Sequence, residues 1–134
     1  MTEDNKKKNI HEELARAAEC IREADLLFEN SMYVGAVSRL YYYVFHAVRA
    51  LLLVESLEPK SHEGALRLLS MHFVKTGTID PQTVHIFTRL MKYRGEADYN
   101  PSYVFTSQDY QDFRNQAVAL FQRIEETLSQ QGYA

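Results

Sequence analysis

Apolar residues recur at helical intervals along almost all of this chain, and no stretch alternates apolar and polar in the period-two manner of a strand. The run from Met32 to Leu57 differs from the rest. It has no proline, carries Gly35 only near its start, and is apolar on nearly every side when wound at about 3.6 residues per turn. A helix apolar almost all round is a buried one, so this run is expected to form a central helix with the others packed about it. Its polar groups, Arg39, Tyr42, His46 and Arg49, follow one another at spacings of three and four and so share one narrow face.

Before it, Ile10, Leu14, Ala17, Ala18, Ile21, Ala24, Leu27 and Phe28 make one face of an amphipathic helix, with Glu12, Arg16, Glu19, Arg22 and Glu23 on the other. Residues 1–8 are polar and are expected to fray. Asn30 and Ser31 punctuate the end: asparagine tolerates a left-handed cap, and serine is a natural first cap of the next helix. Beyond the stop around Ser56 to Pro59, Ser61 caps a third helix. Its stripe of Ala65, Leu68, Leu69 and Phe73 ends at Lys75-Thr76-Gly77. Asp80-Pro81 reads as an N-cap followed by proline at the first helical position, opening a fourth helix with Val84, Phe87, Leu90 and Met91 inward. Asn100-Pro101-Ser102 breaks that helix. Thr106 with Asp109 resembles a capping box and opens a last helix bearing Tyr110, Phe113, Ala117, Leu120, Phe121, Ile124 and Leu128. The expected fold is all-α: an antiparallel up-and-down four-helix bundle with a short additional helix, in one domain over residues 1–134.

The fourth helix breaks its own pattern. Continuing the stripe from Val84 through Phe87 and Met91 lands on Arg94 and then Asp98, four residues apart, where apolar residues should follow. An arginine aimed at a core is costly unless it is paired or lines a wet cleft. The bland explanation is an ion pair within the helix or at an interface, just as a solvated seam would explain the stripe on the central helix.

Composition narrows the chemistry. A formal charge of −3 argues against a broad basic face for nucleic acid, although local basic clusters remain compatible with it. With one cysteine, Cys20, no internal disulfide can form, and the lysine-bearing start has no apolar run behind it, so a cytoplasmic protein with no membrane association is expected. His46 and Arg49 interrupt the most apolar stretch well short of the roughly 18 to 20 apolar residues of a membrane span. None of the five histidines stands three residues after a glutamate, and none pairs with another at a helical spacing of four, so neither a di-iron nor a zinc motif is present. With no phosphate-binding glycine loop either, no metal and no cofactor are expected. What remains is chemistry by arginine, tyrosine and histidine. The planar guanidinium fork suits phosphate, and aromatic rings can stack on bases. Arg39, Tyr42, His46, Arg94, Asp98 and Tyr99 could therefore line a nucleotide or RNA cleft if the two helices face each other across it, with Arg49 on the same stripe a further candidate ligand-binding residue.

Four stretches together carry a family resemblance: Ala24 to Leu52, with its RLYYYVFHAVRALL ending; KSHEG at Lys60 to Gly64; FVKTG at Phe73 to Gly77; and RGEADY at Arg94 to Tyr99. In that order they resemble the HEPN superfamily, the higher-eukaryote and prokaryote nucleotide-binding domains, and in particular its small stand-alone bacterial and archaeal members. The resemblance implies a helical bundle that works as a homodimer with its cleft at the dimer interface. It also implies, for many relatives, a co-encoded minimal nucleotidyltransferase as toxin–antitoxin partner. Active relatives are metal-independent RNases using an arginine followed about a turn later by a histidine. Arg94 matches that arginine, whereas Asp98 and Tyr99 stand where the histidine would be. Three readings follow: a binder of nucleotide, RNA or a nucleotidyltransferase; a metal-independent endoribonuclease using Arg94 with His46 or Asp98; and a purely structural interaction module.

Overall fold

A computed structural model describes residues 1–102 and 104–133. The chain forms α1 (Glu3–Glu29), α2 (Tyr33–Val54), α3 (His62–Leu69), α4 (Pro81–Tyr99) and α5 (Ser107–Gln130), and the described residues include no strand. The architecture is the expected all-α bundle. Four long helices make its body, α3 is the short addition, and α2 lies in the middle in contact with each of the other four. From Ala50 to Val54 every α2 residue is buried, which is why its sequence is apolar all round.

The helix ends follow from local chemistry. α1 begins at Glu3, earlier than the apolar periodicity that starts at Ile10, because Thr2 accepts a hydrogen bond from the Asn5 N–H and Glu3 and Asp4 sit favourably in the first turn. Lys6 then reaches across to donate to the Val54 carbonyl at 3.1 Å, placing a cation at the C-terminus of α2. The α1–α2 corner departs from the expected capping. Ser31, not Asn30, takes the left-handed conformation (φ 60°), and Met32 precedes α2 with no side-chain cap. Asn30 instead turns its side chain back to donate to the Leu26 carbonyl at 2.8 Å, which satisfies the end of α1 by another route. Where the two helices meet, a Cβ on Gly35 would stand 3.2 Å from Leu27 Cδ1, so glycine permits the close approach.

Ser61 caps α3 as expected, accepting from the Gly64 N–H at 2.9 Å. The helix does not run regularly to Lys75: residues Ser70–Val74 widen into a π turn. The chain then turns at Gly77 (φ 80°), as its glycine allows. Asp80 caps α4 with Pro81 in the first turn, and the Thr106–Asp109 capping box opens α5 with both reciprocal hydrogen bonds formed. Phe73, Phe87, Leu90, Tyr110, Leu120 and Ile124 close the core around α2. Asp25 on α1 and Arg114 on α5 form a two-pronged ion pair at 2.7 and 2.8 Å, which Tyr110 joins by donating to the same carboxylate at 2.6 Å.

Candidate functional site

Arg94 lies in the second half of α4, where the stripe of that helix turns toward α2. Its side chain is 21 % exposed. The guanidinium carbon sits 5.0 Å from the centre of the Tyr41 ring and 5.8 Å from that of Tyr42, the electrostatically favourable face for a cation. One terminal nitrogen donates to the Tyr42 hydroxyl at 3.3 Å and to Asp98 at 3.4 Å. Nε is buried with no hydrogen-bond partner among the described residues. The guanidinium is thus turned inward and only partly satisfied, an arrangement that costs free energy unless something else completes it.

The same tyrosines hold a histidine that the sequence motifs had given no role. His62, at the start of α3, shares a hydrogen bond between Nδ1 and the Tyr41 hydroxyl, and its ring lies 4.7 Å from that of Phe45. Burial and the nearby positive charge of Arg94 both hold its pKa below the usual histidine value, so the ring is neutral at pH 7. Tyr41 is wholly buried, and that burial pushes its hydroxyl far above the usual tyrosine value. The hydroxyl therefore keeps its proton.

The structure brings Arg94, Asp98 and Tyr42 together. Arg39 also lies over the Tyr42 ring, 4.8 Å from its centre, while pairing loosely with Glu23 on α1 at 3.7 Å. Tyr99 is next to Asp98 in the chain and is 86 % exposed. His46 and Arg49 lie 5.7 and 5.8 Å from the Phe45 ring centre and are held toward α1. Glu13 on α1 takes both of them, at 2.8 Å from His46 Nδ1 and 3.3 Å from Arg49 Nε. The stripe on α2 is therefore divided: Tyr42 meets Arg94 of α4, whereas α1 engages Arg39 loosely through Glu23 and His46 and Arg49 through Glu13. Sequence reasoning had passed over Tyr41, Phe45 and His62. His62 stood within the KSHEG stretch, directly after a capping serine, but nothing in its spacing tied it to α2 or α4.

Among the described residues no group of three or more histidine, cysteine, aspartate or glutamate side chains could hold a metal ion, and no helix is long and apolar enough to cross a membrane. The site is thus an arginine and a neutral histidine mounted on a platform of aromatic rings.

An all-α bundle with a half-buried arginine on its fourth helix defines a class that the sequence comparisons name. The family model described as the HEPN domain matches residues 10–127, and the chain belongs to that family. A protein of Methanocaldococcus jannaschii named "Putative toxin" is 40 % identical over 96 residues, covering 69 % of this chain and 72 % of its own. A "UPF0332 protein" of Thermotoga maritima is 32 % identical over 125 residues, which are 93 % of this chain and 95 % of that one. A second Methanocaldococcus jannaschii protein bearing the toxin name is 32 % identical over 94 residues, 70 % of this chain and 64 % of its own.

Proposed function

We propose that this HEPN chain is the toxin-like member of a toxin–antitoxin pair, works as a homodimer, and binds the phosphate of a nucleotide or RNA through Arg94. The observation that carries the proposal is the guanidinium itself, held half-buried over Tyr41 and Tyr42 with one nitrogen bare where the helix pattern calls for an apolar residue. A phosphate would accept from such a fork, and the exposed ring of Tyr99 and the partly buried ring of Tyr42 are suited to stack on a base. The toxin names of two relatives support the same reading, and the family resemblance adds a minimal nucleotidyltransferase as the partner. Asp98 is a competitor in this scheme, since a carboxylate on Arg94 occupies the place of an incoming phosphate.

Fluorescence anisotropy of a labelled single-stranded RNA, and calorimetry with ATP, test the proposal directly. Both should show saturable binding to the wild-type chain that weakens at high salt and is lost in Arg94→Ala. Equal binding by Arg94→Ala would remove the arginine from the function. Metal-independent RNA cleavage is a second reading, favoured by the neutral imidazole of His62 on the same rings as Arg94.

A further inference from the structure

We infer that His62, held through Nδ1 by the Tyr41 hydroxyl, is the acid–base residue of this site, acting on a phosphodiester that carries an adjacent 2'-hydroxyl. The inference rests on the reading that Arg94 takes a phosphate. Its ground is the shared platform: Tyr41 and Tyr42 are touched by Arg94 at 5.0 and 5.8 Å, and by His62 at 5.4 and 6.3 Å between ring centres. Among the described residues no other imidazole shares these rings with the arginine. His46 is tied at Nδ1 to Glu13, on the side of α2 that faces α1.

The Tyr41–His62 bond fixes which nitrogen does the work. A protonated phenol hydroxyl can donate to Nδ1 or accept from it, so Tyr41 holds the ring in either tautomer. Nε2 is then the end left over, and it makes no hydrogen bond to a described residue while still reaching solvent. The charged and titratable groups around the ring are Tyr41 and Tyr42 from α2, Arg94 from α4 with Asp98 behind it, and Glu63 from α3 itself. Burial and Arg94 keep the imidazole neutral near pH 7, the state in which Nε2 can accept a proton.

With a ribonucleotide strand in place, Nε2 takes the proton of the 2'-hydroxyl as that oxygen attacks the neighbouring phosphorus. The O2'–P bond forms and the P–O5' bond breaks, its electron pair leaving on O5', which is then protonated by the imidazolium. The products are a 2',3'-cyclic phosphate and a free 5'-hydroxyl. Nothing is consumed beyond the strand itself, and Arg94 stabilises the charge that gathers on the phosphate oxygens. Tyr41 is a positioning residue in this scheme.

The test uses the full chain, a labelled single-stranded RNA in EDTA from about pH 5.5 to 8.5, and a 2'-O-methyl strand of the same sequence, which can bind but not react. Wild type should cleave the RNA to cyclic phosphate ends and bind the inert strand. His62→Gln should bind the inert strand within about twofold of wild type yet lose on the order of 100-fold or more in cleavage rate. Added imidazole should restore part of that loss in His62→Ala, an outcome a structural defect would not give. Tyr41→Phe should shift the acid limb of the pH profile, and an unmoved limb would remove Tyr41 from the scheme. Wild type that binds the inert strand without cleaving RNA, or His62→Gln that cleaves like wild type, overturns the role of His62 and leaves phosphate binding by Arg94 standing. Failure of wild type to bind overturns both.

Discussion

Replacing Arg94 with methionine separates what this residue does for stability from what it does for function. Methionine keeps an unbranched apolar stem over the tyrosine rings and removes only the guanidinium. The losses are two cation–ring contacts at about 0.5 kcal/mol each for a site partly open to water. The long hydrogen bond to Tyr42 contributes about 0.5 kcal/mol more. The Asp98 pair, four residues apart on one helix and partly open to water, adds about 0.3 to 0.5 kcal/mol. Against a loss of about 2 kcal/mol stands the relief of burying Nε without a partner, which is worth about 1 to 3 kcal/mol. Arg94→Met should therefore change unfolding stability by no more than about 1 kcal/mol in either direction, a shift in Tm of less than about 5 °C for a chain of this size. Urea unfolding followed by circular dichroism gives the first number, and RNA anisotropy on the same sample should show binding gone. A loss above about 3 kcal/mol would refute the reasoning, because Arg94 would then be a strut of the bundle rather than a group held there at the expense of stability.

Asp98→Asn removes a negative charge from the position a phosphate would take and releases one arm of Arg94, so RNA affinity at low salt should rise by roughly fivefold, about 1 kcal/mol. Weaker binding of that variant in the anisotropy titration would show that Asp98 assists the ligand. Asp25 gives a pH signature: hydrogen bonding to Arg114 is the main influence holding its carboxyl below the ordinary 3.8, and burial opposes it. The unfolded chain binds that proton more readily, so the stability is fully present above pH 4 or so and is lost as pH falls through the lower folded value. Asp25→Asn should cost about 1 kcal/mol at pH 7, and its stability difference from wild type should shrink as pH falls below the ordinary 3.8 in acid unfolding; a difference independent of pH would contradict the assignment.

The linear pattern of residues by itself determined the bundle. Five helical periodicities, an α2 apolar on nearly every side, and caps at Ser61, Asp80 and Thr106 are local features, and a cap or a stripe is written within one or two turns of chain. The same kind of reading marked Arg94 as out of place, since one broken stripe is visible without any partner. It faltered at the α1–α2 corner, where Asn30 and Ser31 are both suited to capping and it is Ser31 that takes the left-handed conformation while Gly35 packs close to Leu27. What tertiary structure alone decided is which polar groups meet. Along α2, Tyr42 and His46 are equivalent by spacing, yet α4 brings Arg94 to the first while α1 brings Glu13 to the second. His62 reaches Tyr41 across 21 residues of sequence. Contacts of that kind depend on how helices are placed around one another, and helical periodicity records only which face of each helix turns inward.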